Sequence, residues 1–460
     1  MSVNAQLRKH GLPALTDPHG ERGIEIIAGS AVECPSGPCA RLHEPPQMIW
    51  CVSFDKPKWL MTNTVADRPL ARMMPLGPQV AVLAALSAGG TLATNILLPS
   101  LPGIAVGFSV SSAQATSAIT IFLAVFAFGQ LVVGPVSDRF GRRVPVMMGF
   151  AIFFAGSAWC ALANDLPTLL TGRSVQAAGA CATSVLSRAI ARDLFEGEKL
   201  ARVLTFVMVA MAAAPGFSPL VGGALDHFFG WRSAFAFVAI FAAVAAMAYF
   251  LVFGETHHVP RAAFDPPAIV KSYLSLSTDR RFVIPAATVS LILGALFAMF
   301  SALPRVLIED LGFTPMQLGL FFAGTVMIVF SAGIIATKIV PRLGLDRSIC
   351  LGLVLSCAGG DMVLLFALFD GRFRPFLAGV CVFLLGMGMV NPLCSAQSLS
   401  PFGNRAGAAA ALLGFWQMLA AALGVSLAAV IAKDAMTGLG LVLVLASILA
   451  SALYQLRRKG

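Results

Sequence analysis

Charge is scarce in this chain. Only 12% of its 460 residues are Asp, Glu, Lys or Arg, against 58% hydrophobic residues and a mean hydropathy of +0.84. A soluble domain carries about 25% charged residues. One water-soluble core cannot hide this much apolar side chain, so the composition excludes an ordinary globular protein and predicts a polytopic membrane protein. Histidine is missing from every long apolar run: His10, His19, His43, His227, His257 and His258 all fall outside them. Without convergent His, Asp or Ser groups at the membrane edge, a membrane enzyme has nothing to work with. No filter-like segment is repeated, which counts against a channel. The nine cysteines form no disulfide framework. Six of them (Cys160, Cys181, Cys350, Cys357, Cys381 and Cys394) sit in or beside apolar runs as small hydrophobes. Cys34 and Cys39 with His43 have poor spacing for zinc and no second ligand pair. No cofactor or metal site is expected.

What is present is a series of about twelve apolar runs near the length of roughly 20 residues that a spanning helix needs. They lie near 79–101, 114–136, 144–163, 166–192, 201–226 and 231–253, then 282–308, 315–338, 347–369, 374–397, 405–431 and 435–456. In hydrocarbon these must be helices, because open strands would leave backbone groups unpaired. The longest polar break, 254–281, separates residues 76–253 from 282–460 and leaves six runs on each side, which suggests an internal duplication. Residues 1–75 are polar, Pro- and Gly-containing and without apolar period; they read as a disordered arm lacking signal-peptide features. A start at Met61, Met73 or Met74 would leave only a short tail. A partner-docking role for this arm has no support beyond its length.

The net charge of +10 does not point to nucleic acid, because the bases gather in alternate short loops. Arg139, Arg142 and Arg143, then Arg188, Arg192, Lys199 and Arg202, then Arg261, Lys271, Arg280 and Arg281, then Lys338, Arg342 and Arg347, and finally Arg457, Arg458 and Lys459 share one side. Asp165, Asp226, Glu309, Asp310 and Asp370 mark the other. The positive-inside rule then predicts cytoplasmic termini.

Three motifs carry chemistry. The loop Gly134-Pro-Val-Ser-Asp138-Arg139-Phe-Gly141-Arg142-Arg143 combines a close-approach glycine, a turn glycine, one acid and three arginines. A carboxylate is stabilised at a helix N-terminus, so Asp138 is expected to latch onto a helix start in the other half and act as a gate. Arg173, inside the fourth run, costs several kcal/mol unless it meets water or a partner, and Gln176 shares its face. In the fifth run Pro215 and Pro219 remove backbone donors ahead of Gly222 and Gly223, which permit a tight crossing.

These patterns resemble the major facilitator superfamily: its signature loop after the second helix, its fourth-helix arginine motif and its antiporter motif, here with Ser218 where a glycine is usual. The segments Asn95-Ile-Leu-Leu-Pro99-Ser-Leu-Pro102, Ser187–Phe195, Tyr273–Phe282 and Gly407–Met418 narrow the resemblance to the bicyclomycin-resistance and chloramphenicol-efflux (Bcr/CflA) drug:proton antiporters, over roughly 76–456. The resemblance implies an all-α fold of twelve spanning helices in two six-helix bundles, in a bacterial inner membrane. It implies a monomer working on a small molecule and protons, driven by the proton gradient. It also implies an Arg173 that lines a central water-filled cavity. The first, fourth, seventh and tenth helices would surround that cavity, flanked by the second, fifth, eighth and eleventh. That nominates Asn95, Arg173, Gln176, Phe297, Phe300, Asn391, Phe415, Trp416 and Gln417. The branch usually has aspartate where this chain has Asn95, which does not titrate. Asp361, in the ninth run, is then the remaining deep acid and a candidate coupling site, while Glu309 and Asp310 at a helix end are expected to be solvated. Export or uptake of an endogenous metabolite, with different or no proton coupling, is the alternative.

Overall fold

A computed structural model describes residues 27–28, 50–51, 76–256, 265–369, 373–431 and 435–459. Residues Met1–Asp67 and Arg68–Gly460 form separate units. In the first, Ile27–Ala28 pairs antiparallel with Trp50–Cys51; the disordered arm expected there, with Cys34, Cys39 and His43, otherwise lies outside the described residues.

The second unit is helical. Its long helices are α1 (Leu76–Asn95), α2 (Ser112–Phe140), α3 (Arg143–Ala161), α4 (Leu166–Leu194), α5 (Gly197–Phe229), α6 (Arg232–Val252), α7 (Arg280–Pro304), α8 (Pro315–Leu343), α9 (Leu345–Phe369), α10 (Phe373–Leu399), α11 (Ala406–Val430) and α12 (Ala435–Lys459). The all-α reading of the sequence holds. Among the described residues, eleven helices are long and apolar enough to cross a membrane. The twelfth, α4, falls short on hydropathy because it carries Arg173, Gln176, Arg188 and Arg192, yet its 29 residues are ample to span. It packs between α1, α2 and α3, so protein and not lipid faces those polar groups. The outer faces are apolar: Met148, Phe154 and Trp159 on α3, Ile240, Val244 and Met247 on α6, Val354 and Leu365 on α9, Ile448 and Leu449 on α12 are exposed. A soluble protein rarely exposes such a belt.

Local sequence explains the ends. Ser111 and Thr314 build capping boxes with Gln114 and Gln317 at the starts of α2 and α8, and Asp165 accepts from the Thr168 N–H at the start of α4. The first run does not continue straight to residue 101. Pro99 and Pro102 lack the N–H a continuous helix needs, so α1 stops at Asn95 and resumes through a tight turn (Leu98–Ser100) and a short helix, Leu101–Gly107. A further helix, Pro266–Thr278, precedes α7, and α7 is prolonged by a π-helical segment, Arg305–Asp310.

The two sets of six helices repeat one packing device. Gly149 on α3 meets the Gly179 carbonyl and Ala182 on α4, and Gly352 on α9 meets the Gly386 carbonyl and Met389 on α10. Between the two sets, α2 packs on α11 and α5 on α8. The first contact joins Phe128 to Phe415 (ring centroids 5.4 Å apart) and Thr120 to Ser426 (3.3 Å). The second is lined by Gly216, Gly223 and Gly319. At the end bearing Asp165 and Glu309, Leu97, Leu98 and Leu101 of the α1 continuation join Leu303, Val306 and Phe322 in one buried apolar cluster, and Ser112 on α2 donates to Glu309 (3.3 Å). That end is therefore sealed across the two sets.

Candidate functional site

The loop between α2 and α3 is a charge network, built on Gly141 in the left-handed region (φ 88°). A side chain there would also collide with the Glu255 carboxylate. Glu255, just beyond α6, accepts from the backbone N–H of Arg142 (2.8 Å) and of Arg143 (3.3 Å), so it caps the start of α3. Arg142 is buried. Its guanidinium donates to Asp193 at the end of α4 (2.9 Å) and to Asp138 (2.6 Å). Burial by itself disfavours the Arg142 charge, but Asp193 and then Asp138 more than offset this and hold its pKa above the ordinary value. The loop thus ties α2, α3, α4 and the end of α6 together. Arg139 is exposed, and Arg143 lies over the Phe250 ring (5.0 Å).

Two expectations for this loop are corrected. Asp138 is paired four residues along its own loop and not with a helix start in the other half. The arginine it meets already sits beside it, whereas a helix terminus across the gap offers only partial charge. Gly134 is also not a close-approach site, since a Cβ there would meet nothing within 4 Å; Gly129, which abuts Cys181, fills that role. The Asp138 charge does reach the helix Pro266–Thr278 that connects the two sets. Burial, and secondly Asp138, push the Tyr273 hydroxyl up, and that hydroxyl donates to the Leu131 carbonyl of α2 (2.9 Å). Asp138 is 51% exposed and Asp193 only 19%. We therefore expect Asp138→Asn to cost under about 1 kcal/mol and Asp193→Asn about 1–3 kcal/mol, read as the order of their melting temperatures in detergent.

The expectation that Arg173 lines a water-filled cavity is likewise corrected. Its side chain has no solvent exposure. Nε donates to the Ala118 carbonyl of α2 (3.0 Å) and Nη1 to the Ala93 carbonyl of α1 (3.1 Å), with a further bond to Gln176. Gln176 passes the network to Ser157 on α3 (2.9 Å). The guanidinium lies over Phe122 (4.2 Å) and near Phe235 of α6 (5.9 Å), and Nη2 has no hydrogen-bond partner. Carbonyl dipoles and ring faces, with no carboxylate, hold the charge. Five helices of the first set converge on this one group. The sequence placed it at the right depth but on the wrong side, because periodicity shows which residues share a face and not which neighbour covers it.

Of the nominated cavity residues, Asn95, Phe297 and Phe300 pack inside their own helix sets, while Asn391, Phe415, Trp416 and Gln417 lie on the neighbouring helices α10 and α11. Asn95 is buried and donates to Thr91 one turn back (2.8 Å). Phe300 is buried against Phe322 (5.2 Å) and Phe297 packs on Phe300 (6.4 Å), so both belong to the α7–α8 core. Phe415 reaches across to Phe128. Trp416 packs on Phe282 (6.0 Å). Gln417 contacts Ser395 on α10 (3.5 Å), and Asn391 is half-buried on α10. Pro215 and Pro219 stay inside α5, where the Ser218 hydroxyl donates to the Ala214 carbonyl. Gly222 abuts the Ile96 carbonyl just beyond α1 and Gly223 the Pro315 carbonyl of α8. Asp361 is exposed on α9, an outer helix, with its side chain away from the α2–α11 and α5–α8 contacts. One acid was misread from sequence: Asp226 is not in a loop but in the last turn of α5, half-buried, 4.0 Å from where a Cβ would stand on Gly103.

The sequence profile of the Major Facilitator Superfamily matches residues 83–425. The chain is 31% identical over 343 residues to the uncharacterized MFS-type transporter YdgK of Bacillus subtilis, spanning 74% of this chain and 85% of that one. It is 28% identical to a bicyclomycin resistance protein homolog of Haemophilus influenzae (74% and 86%) and 26% identical to multidrug resistance protein D of Escherichia coli (80% and 92%). Among solved structures, a bacterial homolog of the lysosomal transporter Spinster, inward-facing and unoccupied, superposes with a TM-score of 0.64 at 16% identity, covering 83% of this chain and 97% of that one. The human organic anion transporter MFSD10 superposes at 0.61 and 17% identity (83% and 100%).

Proposed function

Because the chain belongs to the major facilitator superfamily, we propose that this multi-pass transporter exports small amphipathic compounds, antibiotics among them, by alternating access driven by inward proton movement. The bicyclomycin and multidrug resistance relatives support the substrate class. The observation that carries the mechanism is the pair of seams. The six-helix sets touch along α2–α11 and α5–α8 and share one apolar seal at the end bearing Glu309. Glycine-lined seams let packed helices slide with little side-chain interference, so rocking about them opens that seal while closing the other end. The loop charges support a cytoplasmic basic end in a bacterial inner membrane, with the seal facing outward.

Proton coupling needs a group whose charge changes, and Asn95 is not one. Asp226 is the better placed acid. It lies on α5 beside the α1 continuation, one turn from Gly222, which packs on Ile96 in the first set, and Gly223, which meets α8 across the seam. Uptake of labelled drug into everted vesicles should collapse on adding an uncoupler. Asp226→Asn should remove most of this uncoupler-sensitive component, whereas Asp361→Asn should leave it intact. Uncoupler-insensitive uptake refutes proton drive. An alternative substrate, an endogenous metabolite, is distinguished by a susceptibility panel that shows no change between knockout and overexpressing cells.

A further inference from the structure

The strip of α4 that lies between α1 and α2 ends in a charge of one sign, Arg188 and then Arg192. On α4, Cys181 lies against Gly129 of α2, and the Ser184 hydroxyl donates to the Ser87 carbonyl of α1 (3.3 Å). Arg188 stands four positions beyond Ser184 and seven beyond Cys181, so it occupies the same strip of α4, between α1 and α2. That strip looks toward the second set of helices, because α2 and α5, the partner of α1, are the helices that contact α11 and α8. Arg188 is half-buried. Among the described residues no carboxylate forms an ion pair with it, and the neighbouring charge that bears on it is Arg192, one turn on. Asp193 is taken by Arg142.

The repeat supplies the facing wall. Arg188 lies nine residues beyond Gly179, and Ser395 nine beyond Gly386, the two glycines that make the equivalent helix contacts. Ser184 and Asn391 correspond in the same way. The second set therefore presents Asn391 and Ser395 at the positions matching the basic strip, both uncharged; Gln417 of α11 reaches Ser395, and its chain neighbours Phe415 and Trp416 offer rings that also touch Phe128 and Phe282. The acids of the described spanning helices are spoken for or lie elsewhere: Asp138 and Asp193 pair with Arg142 and Glu198 with Arg202, Asp346 accepts from Gln397 and Tyr454, Asp226 is at the sealed end and Asp361 is exposed on α9.

We infer that Arg188 recognises an anion, and that the groove between the two six-helix sets prefers amphipathic organic anions: an aromatic body against Phe415 and Trp416, with a carboxylate, sulfonate or phosphate monoester on the guanidinium. This rests on the export reading and narrows its substrate class. A half-desolvated arginine gains most from a charged acceptor that supplies two oxygens, while a cationic drug would meet repulsion at the same place.

The test uses the full-length protein in nanodiscs and three matched labelled probes: 1-naphthoate, uncharged 1-naphthamide and 1-naphthylmethylammonium. Wild type should bind naphthoate best. Arg188→Gln should weaken naphthoate about tenfold and leave naphthamide unchanged, and Arg188→Lys should recover most of the loss. Arg192→Gln, exposed one turn away, should have a smaller effect. Equal effects of Arg188→Gln on acid and amide overturn the inference, as does a failure of wild type to favour the anion. Repeating the measurement in phosphatidylcholine and in phosphatidylglycerol separates substrate from lipid. If the Arg188 effect appears only as a change in lipid dependence, the residue holds a headgroup and the inference is wrong. Everted vesicles keep the two readings apart: export of neutral or cationic compounds without naphthoate sinks this inference alone, whereas no energised transport of any drug or probe sinks the export reading.

Discussion

Arg173→Met should cut export to below about a tenth of wild type while the protein still inserts and folds. No carboxylate is stranded when the guanidinium is removed, and the acceptor left short is Gln176, so the loss is about 1–3 kcal/mol, while methionine can fill the space over Phe122. Transport is another matter. The guanidinium bonds carbonyls on α1 and α2 (3.1 and 3.0 Å) from its seat on α4. It therefore makes the groove-forming helices of the first set move as one body. Arg173→Lys should fail almost as completely, because a single ammonium on a flexible stem cannot reproduce a planar fork reaching two helices. Wild-type export by either variant would show the arginine to be packing only. Monodispersity and melting temperature, measured beside transport, separate lost function from lost fold.

The second large effect is expected at adjacent glycines. Gly222 abuts the Ile96 carbonyl within the first set, and Gly223 the Pro315 carbonyl in the second, 2.5 Å from where a Cβ would stand. Backbone cannot step aside as a side-chain tip can. Gly222→Ala should thus destabilise by about 1–3 kcal/mol, the usual cost of overpacking. Gly223→Ala strains the contact between the sets and should reduce transport more than it lowers the melting temperature. Gly134→Ala is the control: nothing lies within 4 Å, so it should be neutral or slightly stabilising, as expected on removing a glycine from a helix interior. If all three behave alike, the seam has no special role.

How far the sequence carried can be judged at particular residues. Helix number and order were legible, because runs of this length in hydrocarbon have one solution. So was the turn at Gly141. The break after Asn95 was readable in principle from Pro99 and Pro102, though apolar composition ran straight through it. The partners were not legible. Nothing local to Asp138 says that Arg142 is shared with Asp193, 55 residues beyond Asp138 in the chain. Nothing near Arg142 signals Glu255. Arg173 was placed on a cavity because a charged residue in a spanning helix needs a partner, yet here carbonyls and aromatic rings supply it. Arg188 was read as a topology signal and as part of the Ser187–Phe195 resemblance; its correspondence to Ser395 emerges once the glycine contacts of the two sets are aligned.

The most direct test of the rocking account is a reversible lock across the sealed end. Ser112 and Glu309 sit on opposite sets, with side-chain oxygens 3.3 Å apart. In a background cleared of native cysteines, Ser112→Cys with Glu309→Cys should export normally when reduced, stop when joined by oxidation or a short thiol cross-linker, and resume after reductant. A joined protein that exports at the reduced rate would mean that this seal never opens, and alternating access between the two sets would be wrong.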